Sequence, residues 1–416
     1  MFRQGQTSGQ YTSTSTASGE QVRAFIPHPL PPVPALILSG TRQRALEKAT
    51  LALGHLDSVT LLLPDPQLFL YAFIRREAVY SSQIEGAQSS LSDLLLFELG
   101  ERPGAPIDEV VEVSNGVAAL EHGLDRLREG LPLCKLLLRE MHTLLMTGGR
   151  FNGKDTGEFR RTQNWIGGTR PGNARFVPPP AHEVQACMTA LEQFIQNNAN
   201  MVNGRPIDDM PVLLKAALAH GQFETIQPFL DGNGRWGDYS SSWCCDNGVL
   251  QQPLLYLSLY FKQHRSLYDE LLDRVRIQGD WEAWVDFFLA GVEQTANAAV
   301  QTAKQLAAMF AQDAQRANSA GRGSANVVRV LEGLRKRPLC SLRQLAKDGG
   351  ISFPTASKAV LTLVDMGIAR ELTGQRRNRL FVYDAYLNLL NEGTEPRWSE
   401  SGAWRSKSKD DANRNS

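Results

Sequence analysis

The chain has no excess of charge of either sign: 44 Lys and Arg stand against 44 Asp and Glu, for a formal net charge of +0. That balance argues against a protein that coats nucleic acid through bulk charge. Cysteine is scarce, five in 416 residues. Cys134, Cys187, Cys244, Cys245 and Cys340 show no CxxC or Cys/His zinc spacing, so reduced thiols and a cytoplasmic setting are expected rather than a disulfide scaffold or a structural zinc. No apolar run of about 18 residues occurs, the length a spanning helix needs. The best candidate, Leu61 to Ile74, is broken by Pro64-Asp65-Pro66, and no membrane partner is expected. The polar N-terminus has no apolar signal core. Strand-like alternation is almost absent between residues 41 and 310. What remains is ordinary for a globular chain, 42% apolar and 21% charged, enough for two or three domains with a sizeable core.

Helix-period apolar residues mark 41–63, 66–98, 108–130, 132–147, 181–196, 207–225, 252–275 and 280–310. The expected organisation is a disordered or extended N-terminus (1–35, the first 20 residues disordered) and an N-terminal helical region (36–130). A core domain (131–311), a linker (312–326), a small basic domain (327–390) and a disordered tail (391–416) follow. One long irregular stretch, 148–180, interrupts the core, and loops of that length in compact domains are usually functional.

The densest chemistry lies in HGQFETIQPFLDGNGRWG, His220 to Gly237. A helix-compatible run stops at Pro228, and Asp231-Gly232-Asn233-Gly234-Arg235 follows. Glycine and Asn permit positive φ, so successive backbone N–H groups can converge on an anion. Arg235 offers a fork of donors to phosphate, and Asp231 a carboxylate to Mg²⁺. A plain helix-capping turn is the bland alternative for DGNG alone. The whole string resembles the Fic family, whose core motif reads H-P-F-x-[DE]-G-N-G-R-x-x-R and whose members transfer AMP from ATP to a hydroxyl of a target protein. TGEFRRTQNWIGGTRPGNARFVPPP resembles the family's target-holding flap, and Ser81-Ser82-Gln83-Ile84-Glu85-Gly86 fits its inhibitory pattern [ST]-x-x-x-E-[GN].

The resemblance implies a mainly α fold: a Fic-type helical core with a β-hairpin flap, using ATP and Mg²⁺ and acting on an unnamed protein target. It places Phe229, Leu230, Asp231, Gly232, Asn233, Gly234 and Arg235 along the triphosphate, with Asp231 on the metal. Tyr268 is expected on the adenine side. Glu85 and Ser81 belong to the inhibitory motif, and Asn164, Trp165, Ile166 and Gly167 to the flap. Arg160 and Arg161 are read as able to form salt bridges only, and His220 as a structural histidine.

Two departures bear on catalysis. The family's general-base histidine is Gln227 here, and a neutral amide cannot take a proton near pH 7, although it can orient a hydroxyl. The family's second arginine is Asp238, a carboxylate that repels phosphate and leaves Glu85 without its ion-pair partner. The run Gly237 to Asp246 (GDYSSSWCCD) also lacks any helical apolar stripe where the family has an apolar helix. One permitted codon choice, with a base restored after the first GG, reads Gly-Arg-Leu-Phe-Ile-Ile-Leu-Val-Leu. A compensated frameshift across about 238–245 is therefore expected, with a genuinely diverged helix as the alternative. The expected outcome is AMP transfer that is impaired or lost, the alternatives being a non-catalytic scaffold that binds nucleotide or target, or a DNA-binding regulator.

Residues 327 to 383 hold eleven Lys and Arg against four Asp and Glu. An apolar helix, a Ser341-capped helix, a Gly349-Gly350 turn, a second amphipathic helix from Pro354 to Asp365, and two short strands around Thr373-Gly374-Gln375 resemble a winged helix-turn-helix. That resemblance places Thr355, Ser357 and Lys358 toward DNA in the groove and Arg376, Arg377 and Arg379 toward phosphate. Docking of protein, including a homodimer, is left open.

Overall fold

The computed structural model describes residues 8–16, 19–62, 66–148, 156–196, 210–238, 249–375 and 377–391. The segment 239–248, and with it most of the frameshift reading, lies outside the described residues, as do Arg376 and the tail from residue 392. The chain divides into two compact units, residues 1–311 and 312–416.

The first unit opens with an antiparallel hairpin, β1 (Gly9–Ser15) and β2 (Gln21–Pro27), in register from Gly9 opposite Pro27 to Ser15 opposite Gln21. For residues 9–15 this corrects the expectation of disorder, while residues 1–7 and 17–18 lie outside the described residues. The polar, β-branched QYTSTST run has too little apolar surface to order alone. It is held by its pairing to β2, whose Val22 and Ala24 pack on Val177 and whose Phe25 N–H donates to Val177 O at 2.9 Å. Tyr11 meets Phe25 edge-on with ring centres 5.1 Å apart.

Among the described residues ten α-helices follow: α1 (Gly40–Leu62), α2 (Pro66–Ile84), α3 (Leu91–Glu98), α4 (Ile107–Arg128), α5 (Lys135–Leu145), α6 (Val184–Ile195), α7 (Val212–Ile226), α8 (Ser258–Gln263), α9 (Arg265–Gln278) and α10 (Trp281–Asn318). The periodicity over 66–98 is one run in sequence and two helices in structure. Gly86, at φ 96°, ends the first, and Ser90 starts the second with a capping box, its hydroxyl accepting from Asp93 N while the Asp93 carboxylate accepts from Ser90 N. The 252–275 pattern likewise divides at His264 into α8 and α9. The expected linker at 312 is a helix instead, since α10 continues to Asn318, which leaves only 319–323 between it and the next helix. Ala317 on those last turns is fully buried, and Asp313 nearly so.

Helix α7 is the centre of the first unit. Every residue from Leu213 to Ile226 except His220 is buried, the pattern of a helix surrounded on all sides. It packs against α6, α9 and β2, while α2 packs against α3, α4 and α8. His220, read as structural, sits among Phe261, Tyr268, Trp284 and Phe288. Burial pushes its pKa down to about 4, and its Nε2 lies 3.0 Å from the Tyr268 hydroxyl.

The second unit contains α11 (Ser324–Lys336), β3 (Leu339–Ser341), α12 (Leu342–Asp348), α13 (Phe353–Asp365), β4 (Arg370–Glu371), β5 (Leu380–Val382) and α14 (Asp384–Leu390). The strands form one antiparallel sheet in the order β3-β5-β4. Ser341 caps α12 by accepting from Gln344 N, and Ser352 caps α13 by accepting from Thr355 N. Gly367 at φ 67° turns the chain out of α13.

Candidate active site

Pro228 cannot donate and disfavours the α region at the residue before it, so α7 stops at Gln227. That residue takes the left-handed conformation, φ 48° and ψ 63°, uncommon for a side chain other than Gly, Asn or Asp. Arg160 clamps this end. Its Nε donates to Gln227 O at 2.8 Å, its Nη2 to Pro179 O at 2.6 Å and Ile226 O at 3.4 Å, and its Nη1 to Thr162 O at 3.1 Å. Its backbone N–H donates to Pro228 O. The expectation of a salt bridge is thus corrected: Arg160 is 3% exposed, binds carbonyls, and is pulled down to about 10 by burial.

The loop after Pro228 closes on itself. Asn233 Oδ1 accepts from Phe229 N at 2.9 Å and Asn233 Nδ2 donates to Phe229 O at 2.8 Å. Gly232 N–H donates to Asp231 Oδ1 at 2.8 Å, and Gly232 holds φ 74°. Phe229 is fully buried and stacks on His142, ring centres 3.8 Å apart and 5° from parallel. His142 Nδ1 accepts from Gly157 N at 2.9 Å. That places its proton on Nε2, which faces Asp231 O at 3.2 Å. Burial pushes His142 down to about 4, so the ring is neutral and serves as a bracket between α5, the flap and the loop. Nothing in the sequence marked it beyond a histidine on an apolar helix.

Arg235 was expected at phosphate. Its guanidinium instead reaches Glu112 on α4, Nη2 to Oε2 at 2.8 Å and Nη1 to Glu112 O at 3.3 Å, with both side chains buried. It ties the loop to the helical core. Asp238 ends a short 3-10 turn, Asn233–Asp238.

Asp231, Gly232, Asn233 and Gly234 line a cavity of about 300 Å³ with Glu85, Asn164, Ile166, Glu224, Gln227, Leu230 and Tyr268. So the structure brings together most of the expected triphosphate, flap and inhibitory residues. Phe229, Arg235, Ser81, Trp165 and Gly167 do not line it. Ser81 is buried on α2, its hydroxyl without a hydrogen-bond partner among the described residues. Trp165 is 38% exposed. Among its described residues the flap carries one antiparallel bridge, Ile166 to Phe176, and a 3-10 turn, Pro171–Asn173, rather than the expected hairpin of paired strands. Gly167 and Gly168, both at positive φ, and the Pro178-Pro179-Pro180 run limit further pairing.

Glu85 keeps solvent contact at the cavity wall, yet its surroundings raise its pKa, chiefly by desolvation, with Arg265 and Arg235 pulling the other way. It makes no ion pair among the described residues. A Cβ on Gly234 would fall 1.8 Å from Glu85 Oε1, so only glycine permits that approach.

The opposite wall comes from α9, whose Arg265, Tyr268, Asp269, Leu272, Asp273 and Arg276 all face the cavity. Arg265 pairs with Asp269 at 3.1 Å and Arg276 with Asp273 at 3.2 Å, while Arg175 of the flap joins Asp273 at 2.5 Å. Of this wall, sequence reasoning named Tyr268 alone. The polar residues recur at helical spacing, a signal hidden because core-facing stripes are sought among apolar residues. Glu224 was also missed. Burial, then the nearby Glu85, pushes its carboxyl up to about 8.

In the second unit, Thr355 lies in the first turn of α13 beside Ser352, hydroxyls 2.8 Å apart. Ser357 is half-buried, while Lys358 and Arg377 are exposed. Arg379 donates to Glu371 at 2.5 Å, so its charge is already matched on the same hairpin.

Among the described residues no helix is long and apolar enough to cross a membrane. Residues 43–125 match the Fic/DOC family N-terminal domain and residues 132–240 the Fic/DOC family domain. The chain is 28% identical over 192 residues to a protein adenylyltransferase Fic of Drosophila grimshawi, covering 46% of this chain and 35% of that protein. It is 28% identical over 221 residues to one of Culex quinquefasciatus, covering 52% and 39%. The chain thus spans between a third and two fifths of the length of these relatives. A Fic family protein from Desulfovibrio desulfuricans G20 shares the fold, with a TM-score of 0.50 at 19% identity over 82% of this chain and 95% of that one. A motif-bearing loop, an N-terminal glutamate and a flap meeting at one cavity in a mainly helical fold agree with both Fic/DOC domain matches, which span residues 43–125 and 132–240.

Proposed function

We propose that the cavity binds ATP and that the chain is a protein adenylyltransferase slowed by Gln227. The observation that carries this reading is the convergence of the Asp231–Gly234 loop, the flap residues Asn164 and Ile166 and the α9 arginines on one cavity. The backbone of Asp231 to Gly234 offers donors to phosphate, and Arg265 and Arg276 supply positive charge. The named activity of the fly and mosquito relatives supports the same chemistry. No cluster of three metal-ligating side chains occurs among the described residues. Mg²⁺ nevertheless fits, because it takes one or two carboxylates with phosphate oxygens and waters, and Asp231 lines the cavity. When bound, it neutralises triphosphate charge. The chain's own residues hold the nucleotide, orient the target hydroxyl beside the flap, and keep Gln227 where a base stands in the family.

The test pairs calorimetric titration of ATP with intact-mass detection of added AMP. ATP binding is expected in the chain as written, with AMP addition slower than in the Gln227→His variant. Absence of ATP binding in both proteins defeats the reading.

A second reading concerns residues 312–391. The order of helices and strands, with the half-buried Ser357 and exposed Lys358 on α13, supports a winged helix-turn-helix that meets DNA. Affinity for random duplex DNA that falls steeply with salt supports it; salt-independent or absent binding turns the unit toward protein docking.

A further inference from the structure

We propose that the Glu224 carboxylate is the proton acceptor of this site, replacing the histidine that Gln227 has displaced; this rests on the nucleotide reading above. Glu224 lies in the last turn of α7, three residues before Gln227, which ends that helix in the left-handed conformation. Gln227 Nε2 donates to Glu224 Oε2 at 3.0 Å and to Glu224 O at 3.2 Å. The carboxylate therefore stands one hydrogen bond from the position of the family's imidazole. Both side chains line the cavity that holds the Asp231–Gly234 loop.

The carboxylate also has spare capacity. Glu224 is 6% exposed, and its Oε1 is buried with no hydrogen-bond partner among the described residues. A buried oxygen left unmatched is costly, and it is best explained by a partner that arrives with substrate. No arginine forms an ion pair with it among the described residues; Arg276 donates to its backbone oxygen at 2.9 Å instead. Its basicity is therefore not quenched. The charged and titratable groups around it are Glu85 after α2 and Arg265, Tyr268, Asp269 and Arg276 on α9, and together with burial they hold it near 8, within the range useful to a base at neutral pH.

The step balances without a further reactant. The acceptor hydroxyl oxygen attacks the α-phosphorus of ATP and a new O–P bond forms. The bond from that phosphorus to the bridging oxygen breaks, pyrophosphate leaves with the electron pair, and the hydroxyl proton passes to Glu224. With the amide nitrogen engaged by Glu224, the Gln227 carbonyl oxygen is left to orient the hydroxyl.

Water can serve as the acceptor hydroxyl, so the experiment measures AMP release from Mg·ATP and needs no target protein. The chain as written, Glu224→Gln, Gln227→His and the double variant are compared, with ATP affinity and thermal unfolding measured for each. The expected result is slow AMP release that rises with pH through about 8, reduced about 10²–10⁴-fold in Glu224→Gln at unchanged ATP affinity. In the Gln227→His background the same substitution is expected to change release less than about tenfold, because the imidazole takes over the proton. Equal release by Glu224→Gln and the chain as written overturns the proposal. So does release only in proteins carrying the histidine. If Glu224→Gln unfolds, Glu224→Asp and the pH profile of the chain as written decide: a profile flat between pH 6 and 9 overturns it. Loss of ATP binding in every protein defeats the nucleotide reading itself and is distinguished by the titration.

Discussion

The two units are built from different kinds of contact. In the second, local chemistry shapes the elements: Ser341 and Ser352 cap the helices that follow them, and Gly367 and Gly374 take positive φ at the turns. Its surface pairs, Arg379 with Glu371 and Arg370 with Asp384, join residues 8 and 14 apart. At the cavity of the first unit the decisive contacts are distant and buried. Arg235 meets Glu112 across 123 residues, Arg160 meets Gln227 across 67, and His142 meets Asp231 across 89. A local turn tolerates loss of one partner because water replaces it. A buried long-range pair has no such substitute.

The sharpest test of this contrast removes Glu112. Glu112→Ala leaves Arg235 buried and uncompensated, and a loss of about 3–5 kcal/mol in denaturant unfolding is expected. A loss below about 1 kcal/mol would mean that the loop is not anchored through α4. Next is Gly234→Ala, whose methyl must displace the Glu85 carboxylate. ATP affinity is expected to fall roughly tenfold, about 1.4 kcal/mol, and to recover when Glu85→Gly is added; failure to recover would place the strain elsewhere in the loop.

The third test uses pH. Glu224 is held near 8 in the folded chain against about 4.3 unfolded. Between those values the folded state keeps a proton that the unfolded state has lost, so this group's contribution to stability falls as pH rises and is gone above about 8. His142 and His220, both near 4 when folded, act oppositely up to about 6.5. Unfolding free energy is therefore expected to decline from pH 6.5 to 8, by at most about 1.4 kcal/mol per unit for the one proton, and Glu224→Gln should flatten that decline. An unchanged slope removes Glu224 as its source. The smallest effect belongs to the second unit: Arg379→Ala should change stability by about 1 kcal/mol or less, since its side chain and that of Glu371 remain about a fifth exposed. A larger loss would show that the hairpin depends on this pair as the core depends on Arg235.

Much of the fold was legible in the sequence because helices announce themselves through apolar period and caps. Ser341, Gly367 and the apolar period of α7 needed no tertiary information. Two boundaries misled: the 66–98 run hides the Ser90 capping box, and polarity after 312 disguised the last turns of α10. The hairpin of β1 and β2 was invisible, because QYTSTST becomes a strand only when β2 and Val177 supply its partners.

The site divides the same way. Motif order alone located the Asp231–Gly234 loop, the flap and Glu85, and the identity of Gln227 follows from the letters. A side chain's chemical type is written in sequence, but its direction and its partner are not. Only tertiary structure turned Arg235 into Glu112, made His142 a neutral bracket, aimed the polar face of α9 inward, and set Glu224 against Gln227. Those outcomes depend on which distant groups share a low-dielectric interior, where an unmatched charge or hydrogen bond is too costly to leave to chance.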